Sequence, residues 1–316
     1  MAKTPPLPLE WAAAVLGAPL EKVEDIAVTP YSHVARLTAV GKIFYLKRTP
    51  PSLFIEAKIL TLLQQDCAGT VPKLIVADET NCCFLLASCG DETLRSVFKT
   101  DFNPPLFAQG ISCYRGIQTA SVARLAEFAS AGAPDWGLTR FSSVLDTLLA
   151  DKTALAAWNV NVTELAAARK QLPGLCDALA AYGLADVLNH SDFQDNNIVI
   201  DHATGKISVI DWGEVTTGHP LLPLVACVAK AAGRYGVDGI VLKQLQRSVL
   251  DGRNIPESGY AKIWSIALPL ADLYYVFTLI DLMRRSGGGY PGWGQRIAEG
   301  FARFATNSLT AAAGDL

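Results

Sequence analysis

The stretch His190-Ser191-Asp192-Phe193-Gln194-Asp195-Asn196-Asn197 decides how this chain is read, together with Asp211-Trp212-Gly213-Glu214, which begins fourteen residues after Asn197. Between them lie two short apolar runs, Ile198-Val199-Ile200 and Ile207-Ser208-Val209-Ile210, joined by Asp201-His202-Ala203-Thr204-Gly205-Lys206. β-Branched runs around a glycine-containing loop predict an antiparallel hairpin. In a hairpin the start of the first strand lies beside the end of the second. Asn197 stands just before one and Asp211 just after the other, so the pattern brings two oxygen donors together. Such donors suit a hard divalent cation.

The spacing from Asp192 to Asn197, Asp-x-x-x-x-Asn, is the catalytic-loop spacing of kinases. Phosphoryl transfer asks little covalent help of a protein. It needs positioning, a cation on the phosphate oxygens and a carboxylate near the attacking hydroxyl. Asp192 is the expected base, and Asn197 and Asp211 are the expected Mg2+ ligands. His190 is expected to pack and hydrogen-bond in support of the loop, whereas Asp195 and Asn196 are expected to face solvent or cap it. Glu214 is open to three roles: a second metal, the substrate, or a turn cap.

These residues resemble the aminoglycoside phosphotransferase and choline kinase-like family, whose pattern is His-Gly-Asp-x-x-x-x-Asn followed by Ile-Asp-Trp. Here it reads His190-Ser191-Asp192 through Asn197, then Ile210-Asp211-Trp212, and Gly218-His219-Pro220 is similar to the family's Gly-Asp-Pro. The resemblance implies an α+β, protein-kinase-like two-lobed fold. Residues 1–88 would form a small β-rich nucleotide-binding lobe, and residues 89–316 a larger, mainly helical lobe carrying catalysis and the acceptor. It implies an ATP- and Mg2+-dependent phosphotransferase (GTP remaining open), with a small-molecule hydroxyl as acceptor.

The upstream half offers matching parts. Ile43, Tyr45 and Lys47 share one strand face because side chains alternate. Lys47 then points toward the cleft, where the resemblance has it meet the α- and β-phosphates, held by Glu56 on the next helix. Leu85-Leu86-Ala87-Ser88-Cys89 resembles the hinge, with the backbones of Ala87 and Cys89 offered to adenine. Departures from the family pattern are also plain. Thr29-Pro30-Tyr31-Ser32-His33 has no glycine where backbone amides normally cradle phosphates, and Ser32 is the candidate stand-in. Ser191 replaces the usual glycine, and Pro223 stands where an aspartate is common.

Composition narrows the class. The chain has 316 residues, half of them hydrophobic, a formal net charge of −3 and no basic run. Nucleic acid is not an expected partner, since phosphate-backbone binding needs clustered Lys and Arg. The apolar stretch Ile263–Ile280 is broken by Ser265, Pro269 and Asp272 and reads as a buried helix pair, not a membrane span. Seven cysteines without a CxxC pair read as buried hydrophobes in a reducing, cytoplasmic setting. The N-terminus lacks a signal-peptide pattern. Strands are expected near 26–29, 34–40, 43–47, 74–76 and 82–86. Helices are expected over 53–63, 111–130, 162–182, 221–232, 237–250, 257–283 and 292–312.

The acceptor pocket is expected among Trp264, Asp272, Tyr274, Tyr275, Asp281 and Arg284. Only nine acids occur from Asp211 onward, which argues mildly against a polycationic antibiotic and leaves an amino alcohol, a sugar or a metabolite with one cationic group. Two other functions fit the residues: a non-catalytic nucleotide-binding protein of the same fold, and a metal-dependent hydrolase built on His190, Asp192, Asp211 and His219. Oligomeric state is not encoded in any visible motif.

Overall fold

Alternation along the first strands separates two cores. In the computed structural model, which describes residues 6–29, 31–288 and 291–313, β1 (Lys22–Val28), β2 (His33–Ala39), β3 (Lys42–Arg48), β4 (Leu74–Asp78) and β5 (Cys83–Ala87) form one antiparallel sheet of order β1-β2-β3-β5-β4. Ala35, Leu37 and Ala39 of β2, Phe44 and Leu46 of β3, and Cys83 and Leu85 of β5 pack on one face, beneath a short helix Leu9–Leu16 that the sequence pattern did not reveal. The intervening residues face the other way. Phe84 and Leu86 join the main core, and Tyr45 and Lys47 turn into the cleft.

After β3, Pro50 and Pro51 break the strand and a single 3-10 turn leads into the helix Ile55–Asp66. Its apolar positions Ala57, Ile59, Leu60 and Leu63 are buried, and so is Glu56 in its first turn.

Four further strands and one short one frame the signature. β6 (Glu92–Thr93) pairs with β8 (Ile198–Asp201), and β8 with β9 (Lys206–Val209). The hairpin loop closes through Asp201, whose side chain accepts the Thr204 N–H at 2.9 Å, and through Gly205 at φ 70°, a left-handed turn conformation that glycine adopts freely. A second pair, β7 (Val187–His190) with β10 (Val215–Gly218), is antiparallel in the register His190↔Val215. It was not expected from the sequence, because its two strands are 24 residues apart and carry Asn189, His190, Thr216 and Thr217.

The remainder is helical. The expected helix over 111–130 is instead Pro104–Ser121 followed by a 3-10 turn and Leu125–Ser130. It begins early because Asn103 caps it, accepting the Leu106 N–H at 3.0 Å, with Pro104 in the first turn. The helical stretch expected over 162–182, with a split or kink at Pro173-Gly174, is divided into Val162–Arg169 and Leu172–Ala180, with Pro173 in the first turn of the second. Phe141–Ala150 and Lys152–Ala157 were not foreseen.

The anticipated helix pair around Ile263–Ile280 is one continuous helix, Tyr260–Arg285, with Pro269 inside it. An interior proline costs a helix ~3 kcal/mol. Burial of Leu270, Leu273, Tyr274 and Phe277 outweighs it at ~1.5–3 kcal/mol each. Among the described residues this one helix is long and apolar enough to cross a membrane. However, 78% of its most apolar window lies inside the fold, against Leu221–Tyr235 and Trp293–Ala313. All seven cysteines are free thiols.

Candidate functional site

The chain passes from β7 through residues 191–197 into β8, and from β9 through 210–214 into β10. Because β8 pairs with β9 and β7 with β10, the two connecting segments are held against each other at both ends. The Asn197 carbonyl accepts the Ile210 N–H at 2.9 Å, and the Glu214 carbonyl accepts the Ser191 N–H at 2.8 Å and its hydroxyl at 2.7 Å. Positions 197 and 211 are therefore neighbours at the mouth of the hairpin, and both line one cavity of about 490 Å3. Trp212 locks the turn from below. Its side chain is fully buried, its indole N–H donates to Val209 O at 2.9 Å, and its ring lies 5.2 Å from that of His190.

Asp211 has φ 66°, in the left-handed region. For a non-glycine residue this costs on the order of 1–3 kcal/mol and persists only where the surroundings over-determine it. Here it aims the carboxylate at Lys47. The Lys47 ammonium lies 2.6 Å from Glu56 Oε2 and also contacts Asp211 Oδ1. Lys47 and Glu56 are buried. Asp211 keeps 48% of its side-chain surface open, on the wall of that cavity. Burial pulls the Lys47 pKa down, yet Asp211 and Glu56 outweigh it and hold it above its ordinary value. Burial pushes Glu56 up against the pull of Lys47, whereas for Asp211 the lysine wins over burial and keeps the carboxyl ionised. Gly213 is the residue that lets this happen: a Cβ there would come 3.3 Å from Glu56 Oε2.

The same cavity is an apolar slot on its other side, walled by Ile26, Val34 and Leu86 from the sheet and by Val199 and Ile210 from the hairpin. Ala87 and Cys89 both line it, but the Ala87 N–H already donates to Lys73 O at 2.9 Å. Strand pairing at the sheet edge therefore consumes the Ala87 amide. The Cys89 N–H makes no hydrogen bond among the described residues, while its carbonyl accepts from Ser208 Oγ at 3.3 Å. Gly90 is required by close approach, since a Cβ would stand 3.0 Å from Ile200 O.

The glycine-free loop folds on itself. Thr29 Oγ1 accepts the Tyr31 N–H at 3.1 Å and the Ser32 N–H at 2.9 Å. Those amides are spent internally, so Ser32 can offer the cavity its hydroxyl but not its N–H. Pro30 of this loop lies outside the described residues.

Asp192 does not line that cavity. It lines a second one of about 430 Å3, whose walls include Ser191, Glu214, Tyr275, Thr278, Trp293 and Arg296. Tyr31, Glu214 and Leu282 belong to both cavities, so the two adjoin. The Asp192 carboxylate accepts from Asn197 Nδ2 at 3.2 Å and from Gln194 Nε2, and Asn197 Nδ2 also donates to Asp192 O at 2.9 Å. That orientation leaves the Asn197 amide oxygen for other partners; it accepts from Asn196 Nδ2 at 3.2 Å. Glu214 is half-buried between Asp192 and Asp211. Burial first, and then those two carboxylates, push its pKa up to about 8. Asn197 Oδ1 and the Asp211 carboxylate, side by side on the wall of the first cavity, are oxygen donors of the kind a hard divalent cation takes.

His190 is fully buried. Its N–H accepts no role in the cavities but donates to the Tyr114 hydroxyl oxygen at 2.8 Å, and its Nε2 bonds Ile210 O at 2.9 Å, tying the loop to the segment before Asp211. Burial keeps its imidazole pKa low. Asp195, expected at the surface or as a loop cap, is instead 3% exposed. Its carboxylate takes Arg95 at 2.7 and 3.0 Å, Arg234 at 2.9 Å and the Tyr235 hydroxyl. Burial would raise its pKa, but Arg95 and Tyr235, with Arg234, bring it below the ordinary value. Arg95 continues to Gln194 Oε1 at 2.7 Å, and Gln194 reaches Asp192. The partners of Asp195 lie about 40 and 100 residues away in sequence, so no local signal announced this network.

Of the expected acceptor residues, only Tyr275 lines the second cavity. Trp264 is core, Tyr274 is buried on Thr216, Asp272 is held by Arg303 at 2.9 Å and Asn307 at 2.8 Å, and Asp281 pairs with Arg285 at 2.8 Å. The hydrolase set does not assemble either. His219 is buried in the core, where burial and Arg253 push its pKa down to about 3, and it lines neither cavity. Among the described residues no group of three His, Cys, Asp or Glu is arranged to hold a metal by themselves.

Comparison with known proteins agrees with this geometry. An ethanolamine kinase of Plasmodium vivax superposes with a TM-score of 0.62 at 12% identity, covering 95% of this chain and 84% of that one. The apoenzyme of a macrolide 2'-phosphotransferase from Brachybacterium faecium gives 0.62 at 17% identity over 93% and 97%. A thermostable mutant aminoglycoside phosphotransferase, in ternary complex with ADP and hygromycin B, gives 0.58 at 16% identity over 96% and 99%. No curated protein matches the sequence. Residues 32–253 match the model of the phosphotransferase enzyme family, a span that holds Lys47, Glu56 and the whole signature, while Tyr275, Trp293 and Arg296 of the second cavity lie beyond it. The fold is protein-kinase-like, and the chain belongs to the phosphotransferase enzyme family.

Proposed function

We propose that this protein is an ATP- and Mg2+-dependent kinase of a small-molecule alcohol. Residues 1–88 would serve as its nucleotide lobe and residues 89–316 as its catalytic and acceptor lobe. The observation that carries the reading is the division of labour between the two adjoining cavities. Lys47, Glu56, Asn197 and Asp211 serve the first, Asp192 serves the second, and Glu214 stands on their common wall.

In this reading the nucleotide base lies in the apolar slot beside Leu86 and Val199, with the Cys89 N–H as a donor to it. Lys47 leaves part of its contact with Asp211 to meet the phosphates, while Glu56 keeps the ammonium in place. Asn197 and Asp211 would hold Mg2+, which when bound neutralises phosphate oxygens. Asp192 receives the proton of the acceptor hydroxyl as its oxygen bonds to the γ-phosphorus, and the bond from that phosphorus to the bridging oxygen of ADP breaks. The Asp195–Arg95–Gln194 chain holds Asp192 in orientation, a second layer that such sites need. Glutamine 194 donates to the carboxylate, so Asp192 stays an acceptor.

The test is ADP release by the purified protein with MgATP across a panel of alcohols, read beside MgATP-dependent thermal stabilisation. Stabilisation together with acceptor-dependent ADP release is expected. Stabilisation with no turnover for any acceptor would favour a nucleotide-binding protein without catalysis.

A further inference from the structure

The wall of the second cavity carries few charges. Among the described residues its only charged or ionisable side chains apart from the tyrosines are Asp192, Glu214 and Arg296. Asp192 is committed to the transferred hydroxyl's proton, and Glu214, which lines both cavities, stands at the boundary with the first. Arg296 extends from the first turns of the helix Trp293–Ala313 and makes no ion pair among the described residues. One face of Tyr275, which also lines the cavity, is covered by the Lys230 ammonium at 4.0 Å from the ring centroid. Lys230 has no carboxylate within ion-pair distance among the described residues. Tyr31 and Trp293 stack on each other, with centroids 5.3 Å apart and planes 11° from parallel.

A quaternary or primary ammonium is held by free aromatic faces and carboxylates. Here one face of each ring is already taken, one of them by a cation, and the cation on the cavity wall that has no ion-pair partner among the described residues is the Arg296 guanidinium. A guanidinium fork matches a carboxylate or phosphate in two parallel hydrogen bonds. We infer that the acceptor is a small alcohol that carries an anionic group, a carboxylate or a phosphate monoester. The anion sits on Arg296, and the hydroxyl is presented to Asp192. A cavity of about 430 Å3 accommodates a molecule the size of a sugar acid. The inference rests on the phosphotransfer reading and names the class of its acceptor.

The experiment uses the full chain with MgATP and three matched arms. The anionic arm is glycerate, gluconate and glycerol 3-phosphate, the neutral arm glycerol and glucose, and the cationic arm choline, ethanolamine and kanamycin. Initial rates come from coupled ADP release, and products from phosphorus NMR. Turnover confined to the anionic arm is expected, with the carboxylate and phosphate members separating the two anion sources. Arg296→Gln should raise KM for the preferred acid by roughly 10- to 100-fold, the range for a lost charged hydrogen-bond pair, with a smaller change in kcat. Arg296→Lys should recover part of it. MgATP-dependent thermal stabilisation should be the same in all three proteins, because Arg296 lines only the second cavity.

Turnover of the cationic or neutral arm in preference to the anionic one overturns the inference, as does an acid KM unchanged in Arg296→Gln. So does the absence of turnover and of any acid-dependent thermal shift in every arm. Loss of MgATP stabilisation in the parent protein is a different result: it removes the phosphotransfer reading itself.

Discussion

Replacing Asp192 with alanine separates chemistry from nucleotide binding. The carboxylate lines only the second cavity, so its removal leaves the first cavity's wall of Lys47, Glu56, Asn197 and Asp211 intact. Loss of a positioned general base costs ~10²- to 10⁴-fold, or ~2.7–5.5 kcal/mol of activation free energy. The fold loses hydrogen bonds from Gln194 and Asn197, at ~1 kcal/mol each. Against that, Glu214 is relieved of one of the two carboxylates that repel its charge. The melting temperature should therefore move by less than ~5 °C. Single-turnover rates with MgATP and acceptor give the chemical step, and thermal shift with MgATP gives binding. The expected pair is a rate lower by at least ~10²-fold with stabilisation by MgATP retained. A mutant rate within about 3-fold of the parent, or stabilisation lost along with the rate, would refute the assignment of Asp192 as the base.

Other substitutions test the surrounding structure. Lys47→Met leaves Glu56, 1% exposed, without its cation, so chemical denaturation should show a loss of ~3–5 kcal/mol along with loss of nucleotide binding. Asp211→Asn should abolish the difference between nucleotide affinity with and without Mg2+ in calorimetry; an undiminished Mg2+ effect counts against it as a ligand. Asp195→Ala strands two arginines that are each more than a third exposed, so urea unfolding should show only ~1–3 kcal/mol lost, with kcat reduced because Gln194 and Asp192 lose their anchor. Glu214 carries a pH signature: its pKa is about 8 in the fold against an ordinary 4.5. Between those values the folded chain holds a proton that the unfolded chain has released, so stability falls as pH rises through that window. Metal-free melts across that window should show the decline, and Glu214→Gln should flatten it.

Local pattern carried much of this molecule. Period-two alternation in β2, β3 and β5 placed Lys47 on the face opposite Leu46, and the hairpin loop with Gly205 made neighbours of Asn197 and Asp211, because strand pairing is dictated by the residues that bound it. Helix positions followed from apolar periodicity, with ends displaced wherever a cap such as Asn103 outweighed the pattern. What the chain order could not convey depends on partners distant in sequence. Ala87 lost its free amide to Lys73, and Asp195 turned inward because Arg95, Arg234 and Tyr235 converge on it from two other helices. The β7–β10 pairing holds the two signature segments face to face, and the second cavity is walled by Tyr275 and Arg296 rather than by Asp272 or Asp281. A side chain's type is written in the sequence. Whether a buried charge is lawful at its position depends on which opposite charges three-dimensional packing brings within reach, and that only the tertiary structure decides.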